Sequence, residues 1–441
     1  MVGFLKKVEL VGVLSHPEND SWSPDDYPVV GAMGCFAKES SSNIHKRYFV
    51  DREPYVVGKE ENRHELDWDQ IKELIMMETS GRGHGAVTDQ ANFTFSIDNL
   101  SRASTLFLCG PEYASHLQQS LRRATAERGF VPVEDSKGNY LMALQFALYG
   151  RMAEAGVPIE DARIILPLNT KTTIQTSWDA RELTHLRSMA DRMNISSEVK
   201  DTVSQMYDAA YRAAPKTMAE REKNLEVLAW FPSSQLFARS NLIMERVADA
   251  GKGMEFLGYS IGNRMTGEEI ERAVRDRDEA LLANLKHYHF SFNIPMSLMS
   301  FHQATRQRTW NQSVEPLEHA VDRGVYVTPQ SIVNKGFGEF YQRLMEESLK
   351  YVNSYRGNPE IQGIVPHGLE VYDAIHVNGV NAIHSIGKRT CKTAQWEIRA
   401  VANYIAREIR EVMPEIGKFS KPQGIIYGTC PERENCGACG K

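Results

Sequence analysis

Arg389-Thr390-Cys391-Lys392-Thr393-Ala394-Gln395-Trp396-Glu397-Ile398-Arg399 decides how the rest of the chain is read. It follows Gly387, which is read as a break. It leads into a helical pattern in which Ile398, Val401, Ala402, Ile405, Ile409 and Val412 share one apolar face. Two arginines, a glutamine, a tryptophan and a glutamate crowd the head of that helix. Guanidinium groups placed there suit an anionic or carbonyl-bearing ligand, because they donate planar, paired hydrogen bonds. Packing alone supplies the alternative, in which Trp396 is core and the charges are a solvated helix start.

The chain has 441 residues, enough for two or three domains, and its 42% hydrophobic and 24% charged residues are those of a soluble globular protein. A net charge of −6 without a basic block argues against a polymeric nucleic acid as partner, but a mononucleotide needs only a few local arginines. No apolar run approaches the ~18 residues of a membrane span. In Met1–Leu10 the charges interrupt the apolar residues, unlike a signal peptide. A cytoplasmic protein without a membrane partner is expected. Cys35, Cys109, Cys391, Cys430, Cys436 and Cys439 are too unevenly spread for a secreted disulfide framework. Of the last three, only Cys436–Cys439 has a zinc-like spacing and a fourth ligand is missing, so free thiols or a terminal disulfide are expected and no metal.

The chain is written twice. Val8–Pro17 is echoed by Leu225–Pro232, Phe93-Thr94-Phe95 by Phe290-Ser291-Phe292, and Ile165-Leu166-Pro167-Leu168 by Ile364-Val365-Pro366. His185 and His384 stand the same distance after their prolines (185−167 and 384−366 are both 18). The offset between copies is 292−95 = 197 at one anchor and 366−167 = 199 at the next. Two related domains follow, residues 1–215 and 224–441, joined near the charged and partly helical stretch Ala213–Lys223. Val8–Leu14 and Phe93–Ile97 read as strands. Ile71–Met77, Tyr140–Ala155, Ser196–Tyr211, Gly267–His287 and Phe337–Tyr351 read as helices, and the glycines of Ser80–Gly85 mark a loop. The class is α+β with helices dominant. Gly251-Lys252-Gly253 lacks the frame of a phosphate loop, and no GxGxxG fingerprint occurs.

The Arg389–Arg399 stretch closely resembles the C-terminal signature R-x-C-x-x-A-Q-W-E-I-R of the flavin-dependent thymidylate synthases. Those enzymes methylate dUMP with methylenetetrahydrofolate, FAD and NADPH. The resemblance implies two tandem domains of that fold, a small sheet flanked by helices, forming a covalent pseudo-dimer. It also implies a homodimer of chains, since the family assembles as a tetramer. The family's main motif, R-H-R-x-x-S followed by S-x-R and preceded by a glutamine, is divided between the copies. The second copy keeps Gln303, Arg306 and Arg308, with Gln307 in place of the histidine, and lacks the later Ser-x-Arg. The first copy reads Gly110-Pro111-Glu112 at the triplet yet keeps Ser115 and Ser120-Leu121-Arg122. Downstream, Arg163 matches a family arginine where the second copy has Gln362. Asn378 and Arg389 of the second copy face Asp179 and Ala190 of the first.

The losses are complementary, as expected of a fused pair that keeps one complete site. By resemblance, Arg389 is catalytic and polarises the pyrimidine. Gln303 and Arg306 hold the base. Ser120, Arg122 and Arg163 hold its phosphate. Arg308, Gln307, Asn378, His384, His84 (with Asp89) and Arg181 line the flavin. Taken singly, each histidine is as readily a packed residue and Arg122 a surface one. The implied activity is methylation of dUMP to dTMP. C5 modification of UMP or another pyrimidine nucleotide, or a non-catalytic flavin- or nucleotide-binding homologue, are the other readings.

Overall fold

The computed structural model describes residues 6–15, 22–122, 126–223, 225, 232–248, 251–432 and 436–437. The chain divides into two compact units, residues 1–120 with 171–232, and residues 121–170 with 233–441. Each unit is built on a four-stranded antiparallel sheet. The first sheet uses β1 (Lys7–Val13), β4 (Asn92–Ser101), β5 (Ser115–Gln118) and β6 (Lys171–Asp179), in the order β1-β4-β6-β5. A small hairpin of β2 (Tyr55–Val57) and β3 (His64–Leu66) lies outside it. The second sheet uses β7 (Glu255–Ile261), β8 (Tyr288–Ser297), β9 (Asn311–Val314) and β10 (Glu370–Asn378), in the equivalent order β7-β8-β10-β9.

The register confirms the duplication residue by residue. Phe93 pairs with Trp178, and Phe290 with Val377. Phe93, Phe95 and Ile97, like Phe290, Phe292 and Ile294, alternate into the core with at most 1% of their surface exposed. Both edge strands carry the same bulge, at Leu10/Gly12 and Phe256/Gly258. Gly258 has φ +134, which a residue with a Cβ rarely adopts. The first change in the offset, a fall from 197 to 196 at the equivalent caps Ser101 and Ser297 (297−101) before the later rise to 199, has a physical site. Asn99 (φ 57) is an extra residue in β4 between the Ile97 and Leu100 pairs, whereas β8 runs against β10 without interruption.

The helix Trp396–Val412 buries Ile398, Val401, Ala402, Ile405 and Ile409 to 1% exposure or less, as their spacing implies. Its counterpart Ser197–Ala213 buries Val199, Val203, Met206, Tyr207 and Ala210 and packs on β1 and β4. Trp68–Glu78, Ser136–Glu154 and Gly338–Ser354 contain the other expected helices, and Pro215–Glu222 supplies the helix at the join. The second unit takes in the Ser136–Glu154 helix, which packs on Gly338–Ser354. There Gln145 Nε2 donates to Ser348 Oγ (2.9 Å) and to the Ile364 carbonyl (3.1 Å). In the same unit, Pro167 bridges Pro366. Leu168 N donates to Val365 O, and His367 N to Leu166 O, both at 2.9 Å. Since exchanging the copies (166 with 365, 168 with 367) turns the Leu168–Val365 bond into the His367–Leu166 bond, the loop pair has local two-fold symmetry.

Three expectations are corrected. The strand that corresponds to β1 is β7, not Leu225–Pro232, of which residues 226–231 lie outside the described residues. Gly267–His287 is not one helix. It is Gly267–Arg275 and Glu279–Asn284, because Arg277 is left-handed (φ 53) and Asp278 caps the second segment through Leu281 N (3.1 Å). Gly387 is not a break but lies in a helical turn, Gly387–Arg389, and the chain leaves helix at Thr390. Glycine is required at 387 because a Cβ there would sit 2.4 Å from the Lys421 carbonyl oxygen. The glycine-rich Ser80–Gly85 segment contains a 3-10 turn closed by left-handed Gly83 (φ 98).

Candidate active site

The C-terminal motif is for the most part a mounting for Arg389. Gln395 caps its helix by accepting from Glu397 N and Ile398 N, both at 3.1 Å. Trp396 Nε1 donates to Asp161 Oδ1 (2.7 Å), and Ser331 Oγ holds the other oxygen of that carboxylate. Glu397 is buried and accepts from Ser297 N and Ser297 Oγ, both at 2.6 Å, at the start of the helix that follows β8. Burial raises its pKa while the Ser297 bonds oppose the rise. The first unit repeats this clip with Glu198, which accepts from Ser101 N and Ser104 Oγ, both at 2.8 Å. Glu397 is therefore a structural staple and not a ligand group. The loop between Arg389 and Gln395 is pinned by Arg399 Nη1, which donates to Lys392 O (2.9 Å), and by Arg122 Nη2, which donates to Thr393 O (3.3 Å).

Four arginines of the second unit, Arg389, Arg306, Arg122 and Arg163, are linked by their charges around this loop. Arg389 is largely buried. Burial, then the charges of Arg306 and Arg122, hold its pKa below the ordinary guanidinium range. Arg163 is 5% exposed and is pushed down to about 10, by burial first and by Arg122 second, against the attraction of Glu160 and Asp161. Arg122 pairs with Glu160 (3.1 Å), both partly exposed. So much positive charge facing itself is unfavourable, and an anion relieves it.

Gln307 completes the arrangement. Oriented so that its amide oxygen faces the guanidinium, it accepts from Arg389 Nε (3.1 Å) and Nη2 (2.6 Å). A two-point acceptor fixes the plane of the guanidinium without neutralising it.

The remaining residues from the sequence reading are distributed as follows. Gln303 sits in the last turn of Leu298–Ala304, with Nε2 3.4 Å from Met299 O. Arg308 is exposed two residues beyond Arg306. Asn378 caps the turn after β10, its Oδ1 accepting from Asn381 N (2.9 Å) and Nδ2 (3.2 Å). His384 is exposed, with Nδ1 3.0 Å from Gln423 Nε2. Ser120 ends the first of the two segments that make up the first unit, and His84 and Arg181 belong to that unit as well. There Arg181 bonds Asp89 (2.9 Å), and burial raises the pKa of Asp89. Asp179, raised to about 6 by burial first and then by neighbouring acids, caps Ala180–Arg192 through Glu182 N (2.8 Å). Sequence reasoning missed Glu160, Asp161 and the Glu397–Ser297 staple. The staple was findable, since Glu198 and Glu397 stand at the 199-residue offset (397−198). Cys35, Cys109, Cys391, Cys430 and Cys436 are in no disulfide among the described residues, Cys439 lies outside them, and no group of metal-ligating side chains occurs among the described residues.

A family model for "thymidylate synthase complementing protein" matches residues 35–216 and again 259–415. The chain belongs to this family, and the two matched segments are its two tandem copies. The flavin-dependent thymidylate synthase of Sulfolobus acidocaldarius is 29% identical over 172 residues, covering 37% of this chain and 66% of that protein. The Pyrococcus furiosus enzyme of the same name is 31% identical over 163 residues, covering 34% and 64%. The chain thus spans just under two thirds of the length of these relatives. Among solved structures, the UMP/dUMP methylase PolB from Streptomyces cacaoi bound with 5-Br dUMP aligns at TM-score 0.36 and 16% identity, over 49% of this chain and 95% of that one. Thymidylate synthase X from Helicobacter pylori with FAD and dUMP aligns at TM-score 0.37 and 16% identity, over 50% and 99%.

Proposed function

We propose that the chain is a flavin-dependent enzyme that methylates a pyrimidine nucleotide at C5, converting dUMP to dTMP, with FAD as cofactor and methylenetetrahydrofolate and NADPH as co-substrates. The observation that carries this reading is the gathering of Arg122, Arg163, Arg306 and Arg389 in one unit, with Arg389 held by Gln307. A nucleotide combines a dianionic phosphate with a ring that presents carbonyl oxygens. Arg122 and Arg163, preceded in the chain by Ser120, supply the charge for the phosphate. Arg389, oriented and desolvated, supplies donors to a ring carbonyl. It thereby stabilises negative charge that develops on the base as it becomes nucleophilic at C5. Gln303 and Arg306 hold the base in place.

The flavin candidates suit an anionic dinucleotide. Arg308 offers a cation, Asn378 keeps its amide N–H groups for donation, and His384 can donate or accept. His84 and Arg181, in the first unit, are assigned to flavin binding by resemblance alone. The flavin, when bound, supplies the redox chemistry, and these residues bind and orient it.

The decisive experiment is a visible-spectrum titration of the purified full-length chain with FAD and then dUMP. A flavin spectrum that dUMP perturbs is the expected outcome. Failure to bind flavin under any condition would remove the redox mechanism and leave a non-catalytic nucleotide-binding protein. A larger perturbation by UMP than by dUMP would reassign the substrate.

A further inference from the structure

A second basic site lies on the other side of the motif loop's sequence, in a cleft of about 300 Å³ that the proposed reaction does not use. Its walls come from the loop after Arg389, the outer face of Trp396–Val412 and the segment from Ser420 to Ile425. Four cations line it, Lys392, Arg407, Arg410 and Lys421, and no acid does. Arg407 is engaged by Glu408 on its own helix (2.6 Å), whereas Lys392, Arg410 and Lys421 have no ion-pair partner among the described residues. Ser420 lines the same cleft, is 2% exposed, and its hydroxyl has no hydrogen-bond partner among the described residues. A buried hydroxyl without a partner costs free energy that a ligand or water must offset. Three uncompensated cations around it select an anion.

We infer that this cleft binds a multivalent oxyanion, the phosphoryl or carboxylate end of a small molecule, independently of the Arg122–Arg389 cluster. Its volume admits a group of about the size of a diphosphate or a small polycarboxylate. The site shares a backbone with the candidate active site, since Thr390, Cys391 and Lys392 directly follow Arg389.

The test uses titration calorimetry at low ionic strength on the full-length chain carrying Arg122→Ala and Arg389→Ala, which removes two of the four arginines of the other cluster and leaves the lysines of this cleft in place. The probes are inorganic pyrophosphate and citrate. At least one is expected to bind; pyrophosphate alone assigns a phosphoryl ligand and citrate alone a carboxylate one. Adding Lys392→Gln and Lys421→Gln should weaken that binding by about tenfold or more, the effect of losing charge-assisted contacts. If the combined variant does not fold, Lys392→Gln alone, at an exposed side chain, should weaken it severalfold. Binding of neither probe, or binding unchanged by the lysine substitutions, overturns the inference. Because the readout is anion affinity and not turnover, it stands or falls apart from the methylation reading.

Discussion

Gln307 stands where the family pattern has histidine, and its bidentate contact gives that departure a use. An amide oxygen accepts from Arg389 at two points, whereas a neutral imidazole nitrogen accepts at one. Gln307→Ala should therefore lower kcat by roughly tenfold or more, from the loss of hydrogen bonds to a charged group worth about 1.5–3 kcal/mol, with a smaller change in nucleotide KM. Steady-state kinetics decide it, and an unchanged kcat would detach Gln307 from the mechanism. Arg389→Ala should abolish turnover in the same assay. Arg122→Ala should act on binding instead, weakening nucleotide affinity about ten- to hundredfold while leaving flavin affinity alone; equal affinity in the variant would break the phosphate assignment. The cluster also sets a pH limit. Burial, and then the charge of Arg122, push the pKa of Arg163 down to about 10, and a bound anion opposes that shift. Nucleotide affinity should thus hold steady at neutral pH and fall as pH rises through about 10. A flat profile to pH 11 would exclude Arg163 from the phosphate site.

At the scale of elements, apolar periodicity was the most legible signal. The inward faces of Trp396–Val412 and Ser197–Ala213 follow from spacing because burial of alternate turns is all that fixes them. What spacing could not show is the use of a charged residue inside the protein. Glu397 reads as a head-of-helix charge, yet it is consumed by Ser297, a hundred residues earlier in the chain. The break at Arg277 was hidden for a similar reason, because a single left-handed arginine leaves the apolar pattern intact on both sides. The strand β10 carries a consequence for stability. Asp373 is fully buried, bonded through Oδ2 to Gln312 Nε2 (2.6 Å), with no hydrogen-bond partner at Oδ1 among the described residues, and burial raises its pKa to about 8. A raised carboxyl pKa contributes stability that is full below the unfolded value near 3.8 and is lost as pH rises through about 8. The loss is steepest between those values, at no more than about 1.4 kcal/mol per pH unit. Asp373→Asn should remove that dependence, so the variant's Tm should overtake the wild type's as pH rises from 5 to 8. Parallel Tm curves would show that Asp373 does not titrate in this window.

For the whole molecule, the proposed function implies that duplication has left one nucleotide site where an unfused pair would have two. The triplet Arg306-Gln307-Arg308 follows the helix Leu298–Ala304, and in the first copy Gly110-Pro111-Glu112 follows the equivalent helix Arg102–Leu108. Glu112 is half-buried in charge terms as well, its pKa raised by burial and by Glu182, so an acid occupies a position that is basic in the second copy. Ala190 replaces Arg389. The partners of the second copy have changed to match, for Glu318 and Gln362 stand where the first copy has Arg122 and Arg163, and they satisfy one another, Gln362 Nε2 donating to Glu318 Oε1 (3.0 Å). A side that has exchanged its arginines for a carboxylate and a neutral amide repels a phosphate dianion, and its amide already gives one donor to that carboxylate. The complementary pattern was visible in the sequence, whereas the pairing of Gln362 with Glu318 required coordinates. Equilibrium dialysis with labelled dUMP should consequently give one nucleotide per 49.9 kDa chain, whatever the number of chains in the assembly. A stoichiometry of two would mean that the copies lost residues without losing a site, and the argument from complementary loss would fail.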